Sequence, residues 1–257
     1  MKTPRAFTLL ELLVVMGIIA LIAALLLPAV QSMRESSWRA ISTHSLQQLG
    51  MAGAVYRNEH DGEFWRYRED SKEGVTWWFG YESRSQASRP EGERELDVSR
   101  GPLGPYVIAS GGVHTDPAFL REKSRHKPKF KNGNYGYGYN GLLGGGALGR
   151  GALPRAQRFE RPAQIVVFAT CAQVNTFQPP ASEDRPMIEE FYLLDQREKT
   201  VHFRYGGQAL ASMLDGSIRA IPMDKGTLDD RMPSAQIGRF APVGSRLYLW
   251  EESEESP

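Results

Sequence analysis

The sequence has almost no cysteine and almost no net charge, and both features narrow the classes of protein it can form. Only one of its 257 residues is a cysteine, Cys171, so no intramolecular disulfide can form and the fold does not depend on an oxidising compartment. The formal net charge is +1, which gives the whole chain no attraction for a polyanion. Hydrophobic residues make up 41% of the chain, with 26 Gly and 16 Pro. This composition predicts a loop-rich globular body with a sizeable core.

Short signatures of catalysis and metal binding are also missing. The sequence contains no phosphate-binding loop, no Cys-x-x-Cys, no His-Glu-x-x-His and no Gly-x-Ser-x-Gly. Its five histidines have no metal-ligand spacing; they are His44, His60, His114, His126 and His202. We therefore expect no catalytic residue, no metal site and no cofactor. The acidic residues near the C-terminus are interpreted as turn residues rather than as a calcium loop; they are Asp215, Asp224, Asp229 and Asp230.

The strongest feature present is an apolar run near the start of the chain. Residues 7–27 carry one charge, Glu11, and as a helix they would span roughly 30 Å, the thickness of the hydrocarbon core of a bilayer. A secretory signal peptide is the alternative, because Lys2 and Arg5 supply a basic start. Against it, a carboxylate in a translocated helix costs about 2.5–3.5 kcal/mol, and no small-x-small cleavage site follows. The run predicts a membrane-spanning helix in which Glu11 has a special role.

Residues 5–15, RAFTLLELLVV, resemble the prepilin-type cleavage and methylation motif of type IV pilin-like proteins, which include the pseudopilins of type II secretion. The resemblance implies that a membrane peptidase cuts between Ala6 and Phe7 on the cytoplasmic side and methylates the new amino group of Phe7. It also implies an assembly role for Glu11. The Phe7 amine of one subunit can pair with Glu11 of its neighbour, so that two charges costly in lipid offset each other. The family usually has Gly where this chain has Ala6, which predicts slower cleavage.

The pattern predicts that the helix continues beyond the membrane. Pro28 lacks a backbone N–H, which predicts a kink or a local melting of the helix. Small and apolar residues then recur every three or four positions, as in an amphipathic helix packed under a globular domain; they are Val30, Met33, Trp38, Ile41, Ser45, Leu49, Ala52 and Tyr56. Turn-forming residues gather at 58–62 and predict the end of the helix.

Strand signals lie in the remaining part of the chain. Residues 165–169, IVVFA, form a short continuous apolar run, which predicts a buried central strand. Residues 209–214 and 217–221 flank Asp215-Gly216, the strongest signal for a hairpin with a two-residue turn. Residues 75–79 predict a further strand, and residues 83–95 predict a surface loop.

Several patches resemble a bacterial subfamily of pilin-like proteins in which a His, nine further residues and then Asp-Gly form a C-terminal motif. Here Asp215 and Gly216 keep the spacing, but Tyr205 occupies the His position. Residues 137–145 and 162–169 resemble further blocks of that subfamily. The resemblance implies a pilin-like α+β fold, in which a long N-terminal helix with a transmembrane half and an amphipathic half packs on an antiparallel β-sheet.

These features predict the organisation of the chain. Residues 1–6 would be a prepilin leader, 7–28 the transmembrane helix, 29–58 the amphipathic helix, 59–250 a β-rich extracytoplasmic domain and 251–257 an acidic tail. The resemblance implies a single-pass protein of the inner (cytoplasmic) membrane, with a cytoplasmic N-terminus and a periplasmic or extracellular domain. The implied partners are prepilin peptidase, other pilin-like subunits of a secretion or pilus machine, and membrane lipid.

Two segments leave a binding function open. Tyr137 and Tyr139 could offer aromatic faces to a sugar or peptide, although a tight loop with its tyrosines on the core is favoured. Lys127 and Lys129 lie in a basic segment, residues 121–131, that could contact DNA or lipid headgroups, although a solvated loop is favoured and nucleic acid is not expected as a partner. The expected function is a non-enzymatic pilin-like subunit (pseudopilin) of a secretion pseudopilus or type IV pilus-like filament. The alternative is a membrane-tethered binding module for DNA, a glycan or a secreted substrate.

Overall fold

The computed structural model describes residues 8–109, 112–121, 123–132, 135–146, 148–195 and 197–241. In these ranges the helices are α1 (Leu9–Glu59), α2 (Arg84–Ala87) and α3 (Gly104–Ala109). The strands are β1 (Arg68–Asp70), β2 (Gly74–Trp77), β3 (Gly80–Ser83), β4 (His126–Lys127), β5 (Tyr137–Asn140), β6 (Val166–Thr170), β7 (Gln173–Asn175), β8 (Met187–Glu189), β9 (Leu193–Leu194), β10 (Val201–His202), β11 (Gln208–Met213), β12 (Ile218–Pro222) and β13 (Ile237–Gly238). A long N-terminal helix followed by a sheet-rich globular part confirms the predicted α+β fold.

Helix α1 begins and ends where local chemistry dictates. At its start Thr8 is extended, and its hydroxyl accepts a hydrogen bond from the backbone N–H of Glu11, which satisfies one of the free donors of the first turn. At its end Asp61 and Gly62 adopt left-handed backbone angles, with φ of 52° and 82°. The Gly62 N–H then donates to the Arg57 carbonyl at 2.7 Å and closes the last turn. The predicted end of the helix at residues 58–62 is confirmed.

Pro28 lies inside α1, and the chain stays helical through it. The predicted local melting is therefore wrong, whereas the kink remains a prediction. A proline removes only one N–H donor from the helix, and the leucines and alanine beside it, Leu26, Leu27 and Ala29, are strong helix formers.

The packed face of α1 starts later than the predicted stripe. Val30, Met33 and Ile41 are exposed, so their predicted burial under the domain is wrong. The buried positions lie in the last third of the helix; they are Ser42, Ser45, Leu46, Gln48, Leu49, Ala52, Gly53 and Arg57. The periodicity was ambiguous because apolar residues that prolong the exposed apolar surface of α1 follow the same three- and four-residue spacing as residues that face a core.

The largest sheet has five strands in the order β12-β11-β6-β5-β9. Strand β6 lies in the middle and every one of its residues is buried, which confirms the predicted central strand. The pairings are antiparallel except for β5 with β9. The described residues also form three smaller sheets, with the orders β1-β2-β3, β4-β8-β7 and β10-β13, and the pair β4 with β8 is parallel.

The hairpin of β11 and β12 forms at the predicted place, but its turn is one residue longer than expected. The Met213 N–H donates to the Ser217 carbonyl at 2.8 Å, and the Gly216 N–H donates to the Met213 carbonyl at 3.0 Å. The loop inside this Met213–Ser217 pair has three residues, of which the last, Gly216, has a φ of 85°. This is the three-residue loop that places glycine in a left-handed position before the second strand.

An aromatic cluster joins α1 to the central sheet. Trp65 stacks on Tyr139 with ring centroids 4.8 Å apart, and Trp78 lies 5.2 Å from Phe168. Trp65 also restricts which residue α1 can carry at position 53, because a Cβ at Gly53 would lie 2.6 Å from the Trp65 ring. Glycine at this position lets the helix approach the aromatic layer closely.

The strand predicted over residues 75–79 is shorter than expected. Strand β2 ends at Trp77, and Trp78 and Phe79 form the turn into β3. The Trp78 Nε1–H donates to the Tyr192 carbonyl at 3.1 Å, so this ring belongs to the core rather than to a longer strand.

Candidate membrane and assembly site

The N-terminal half of α1 carries a continuous apolar surface. Every large apolar side chain from Leu9 to Met33 is at least 44% exposed. Among the described residues, α1 is the one helix long and apolar enough to cross a membrane. A soluble monomer rarely exposes an apolar surface of this extent, and such surfaces mark contacts with lipid or with other proteins.

Glu11 is the one charged residue on this surface, and its carboxylate bonds to the start of its own helix. Its Oε2 accepts hydrogen bonds from the Thr8 backbone N–H at 2.9 Å and from the Thr8 hydroxyl at 2.8 Å. With the reciprocal bond from the Glu11 N–H to Thr8 Oγ1 at 3.2 Å, the two residues form a capping box. The predicted cleavage site between Ala6 and Phe7 lies outside the described residues, as does the acidic tail at 251–257.

A buried polar cluster, which no motif indicated, fastens α1 to the globular domain. Asp116 accepts hydrogen bonds from the Ser42 hydroxyl and from the Tyr205 hydroxyl, both at 2.8 Å. The guanidinium of Arg204 lies 3.6 Å from its Oδ2, and the Tyr137 hydroxyl donates to Ser42 Oγ at 3.1 Å. We call these five residues the Asp116 cluster. It joins the helix, an intervening loop, strand β5 and the segment before β11 into one unit.

The cluster explains what Tyr205 does in the place of the subfamily histidine. Burial, with the negative charge of Asp116 beside it, raises the pKa of the Tyr205 hydroxyl above its usual range. The hydroxyl therefore remains a hydrogen-bond donor throughout the physiological pH range, whereas a histidine could gain or lose a proton there.

Tyr137 and Tyr139 do not form the predicted loop. They lie on strand β5, and both are fully buried. The Tyr139 hydroxyl donates to the Trp65 carbonyl at 3.1 Å, and Tyr137 belongs to the Asp116 cluster. The two rings therefore face the core, as in the favoured interpretation, and offer no aromatic face to a sugar or peptide.

The predicted exposure of Lys127 is wrong. Its side chain is 2% exposed, and its ammonium lies 2.7 Å from Glu189 Oε1 and also bonds to Glu91. The ammonium of Lys129 lies 5.7 Å from the centre of the Trp77 ring, and its side chain is half-buried. These contacts bury Lys127 and shield Lys129, so the two lysines do not form the solvated loop that the sequence predicted.

Glu190 is a buried carboxyl group whose protonation couples stability to pH. Burial raises its pKa well above the usual value of 4.5, and the nearby Tyr192 hydroxyl and the positive charge of Lys129 offset only part of this effect. At a pH below the pKa that Glu190 has in the unfolded chain, its carboxyl is protonated in both the folded and the unfolded state, and its contribution to the free energy of unfolding is complete. As pH rises toward the folded pKa, the unfolded carboxyl loses its proton first, so this contribution falls.

We expect Glu190→Gln to raise the free energy of unfolding at pH 7 by about 1–3 kcal/mol. The amide of glutamine is already neutral, so it enters the buried site without the proton uptake that the carboxyl of Glu190 requires at this pH. Thermal unfolding of the full chain in detergent between pH 4 and 8 measures this, and the advantage of the variant should grow with pH. The matched control is Glu183→Gln at an exposed position. Parallel pH profiles for wild type and Glu190→Gln would contradict the assignment.

An exposed apolar helix with one carboxylate in its first turn, attached to a small sheet-rich domain, is the architecture of a membrane-anchored pilin-like protein. The family model of the prokaryotic N-terminal methylation motif matches residues 1–27. With the long helix α1, this match fits a type IV pilin-like protein of the pilin or pseudopilin type that is processed by prepilin peptidase. No curated protein and no solved structure matches the chain.

Proposed function

We propose that the chain is a pseudopilin, cut between Ala6 and Phe7, methylated at Phe7 and assembled into a type II secretion pseudopilus or a type IV pilus-like filament. The observation that carries the proposal is the exposed apolar face of α1 with a single carboxylate, Glu11, in its first turn. A stable anchor in lipid needs no carboxylate there, because an unpaired charge in a membrane helix is costly. In a helix that packs against copies of itself, that charge can pair with an opposite charge on a neighbouring subunit.

Assembly would exchange the partners of Glu11. In the membrane its carboxylate bonds to Thr8, and in a filament it would bond to the methylated Phe7 amine of a neighbouring subunit. Both charges of that pair lie in an apolar environment, where an unpaired amine is strongly disfavoured and a paired one is tolerated. The pair therefore sets the register between subunits, while the apolar faces of neighbouring helices supply the contact area.

The proposed subunit waits in the inner membrane, with its N-terminus in the cytoplasm and its domain outside. Its work is mechanical: extraction from the membrane moves the domain along with the helix. The Asp116 cluster supports this role, since it ties three separate segments of the domain to α1. No step requires a catalytic group.

The proposal is tested in the host cell by shearing surface fibres and isolating intact pseudopili from cells that make a C-terminally tagged chain. The expected result is a processed chain in the fibre fraction, cross-linked to copies of itself or to other pilin-like subunits through residues of α1. A chain found only in the membrane of cells whose fibres are fully assembled would contradict the proposal.

The residue before the cut supplies a further prediction. We expect Ala6→Gly to be processed several-fold faster than wild type, because glycine is the residue that the peptidase usually meets there. Pulse-chase labelling with co-expressed prepilin peptidase measures the rate. The control is Ala6→Leu, whose bulky side chain should prevent cleavage. Equal rates of processing for wild type and both variants would show that this position does not control cleavage.

A further inference from the structure

A basic and aromatic cluster lies on α1 immediately after its apolar surface ends. The guanidinium carbons of Arg34 and Arg121 lie 4.5 and 5.2 Å from the centre of the Trp38 ring. Arg121 also pairs with Glu35, with 3.0 Å between Nη2 and Oε1. We call Arg34, Glu35, Trp38 and Arg121 the membrane-proximal cluster. It joins the helix to the loop that follows Asp116.

The length of the apolar surface places this cluster at the lipid headgroups. From Leu9 to Met33 the helix rises about 36 Å, and at an average tilt of roughly 20° it still spans about 34 Å along the membrane normal. The hydrocarbon core is only about 30 Å thick. Because Arg34 follows Met33 directly, no polar spacer separates the cluster from the bilayer surface.

The chemistry of the cluster suits an anionic lipid surface. The cluster holds two arginines, Arg34 and Arg121, against one carboxylate, Glu35, which leaves a net positive charge. Arginine presents a planar fork of donors that matches a phosphate group. Tryptophan is enriched at the level of the headgroups, and Trp38 is only partly buried.

The same geometry separates Arg121 from the rest of its basic segment. Lys127 is buried among carboxylates and Lys129 lies over the Trp77 ring, so these two lysines do not extend a long track for a nucleic acid backbone. Arg121 instead turns toward the helix, at the level where Ser42 and Trp38 hold the domain. Arg121 therefore contacts α1 and lies apart from these two lysines.

We propose that the membrane-proximal cluster binds the phosphate groups of anionic phospholipids in the bilayer that α1 crosses, and thereby holds the globular domain against the membrane surface before assembly. The inference rests on the proposed membrane placement of α1 and deepens it. Extraction of the subunit into a filament must break these contacts, so the anionic lipid content of the membrane sets how firmly the waiting subunit is held.

The test uses the full chain in lipid nanodiscs made of phosphatidylcholine alone or of phosphatidylcholine mixed with phosphatidylglycerol. A polarity-sensitive dye is attached at Ser124→Cys, an exposed position close to Arg121, while the native Cys171 is buried and does not compete for the label. The expected result is a blue shift of the dye emission in discs that contain phosphatidylglycerol. High salt should reduce the shift, because exposed charge pairs are screened.

The variant R34Q/R121Q should lose the shift. Its matched control is R150Q/R155Q, which removes two exposed arginines near the other end of α1, where Arg155 pairs with Glu63 across a backbone bridge. Thermal unfolding checks that all chains are folded, and recovery with the discs checks insertion. A chain that does not enter the discs refutes the membrane placement itself.

An inserted chain whose dye does not respond to phosphatidylglycerol, or an R34Q/R121Q chain that keeps the full response, overturns the headgroup site while leaving the membrane placement intact. A DNA duplex added to phosphatidylcholine discs provides the competing partner. Duplex binding that R34Q/R121Q abolishes, without a response to phosphatidylglycerol, would assign the cluster to nucleic acid and overturn the proposal.

Discussion

Glu11→Ala is expected to leave the chain in the membrane and to remove it from filaments. Without the carboxylate, the methylated Phe7 amine of a neighbouring subunit would be buried without a partner, at a cost of about 3–5 kcal/mol. This corresponds to more than about a hundredfold weaker association. Membrane fractionation measures insertion, and the amount of chain in sheared fibres measures assembly.

Two further variants separate the charge of Glu11 from its role in the helix cap. Glu11→Gln removes the charge but can retain the reciprocal bonds with Thr8, because Gln also completes a capping box. Thr8→Ala removes the cap and keeps the charge. We expect Glu11→Gln to fail in assembly as Glu11→Ala does, and Thr8→Ala to assemble nearly as wild type. Normal assembly of Glu11→Gln would contradict the role of the charge.

Asp116→Ala is expected to lower the free energy of unfolding by about 3–5 kcal/mol, because it leaves the guanidinium of Arg204 buried without its counter-charge. Ser42 and Tyr205 lose their acceptor at the same time. For a domain of this size each kcal/mol lowers the melting temperature by about 2–4 °C, so a decrease of at least about 6 °C is expected. Thermal unfolding of the full chain in detergent measures it.

The controls for Asp116 differ in burial and in the bonds removed. Asp70→Ala breaks an exposed pair with Arg68 and should cost less than about 1 kcal/mol. Tyr205→Phe removes one hydroxyl from the cluster and should cost about 1–3 kcal/mol. If Asp116→Ala were no more destabilising than Asp70→Ala, the cluster would not be what fastens the helix to the domain.

The elements that the sequence predicted correctly have local signals. Helix α1 follows from an unbroken apolar run and from turn residues at 58–62. Strand β6 is a short run of β-branched and aromatic residues, and the hairpin of β11 and β12 surrounds Asp215 and Gly216. In each case a few neighbouring residues determine the backbone, so a window of sequence contains the necessary information.

The features that the sequence did not predict depend on partners far along the chain. Ser42 and Asp116 are 74 residues apart, and Lys127 meets Glu189 across 62 residues. A lysine beside other lysines is expected to be exposed, and only the fold brings two carboxylates to Lys127. Tyr137 and Tyr139 were misplaced for the same reason, because their glycine neighbours favour a turn and the pairing with β6 makes a strand.

The central claim is most directly tested by the intact mass and N-terminal sequence of the chain from membranes, with and without co-expressed prepilin peptidase. The account predicts a chain that begins with N-methylated Phe7 when the peptidase is present and retains residues 1–6 when it is absent. Retention of Met1 to Ala6 beside an active peptidase would contradict the account and leave a simple membrane-anchored domain. A cut after Pro28 would also contradict it, because the apolar run would then be a signal peptide.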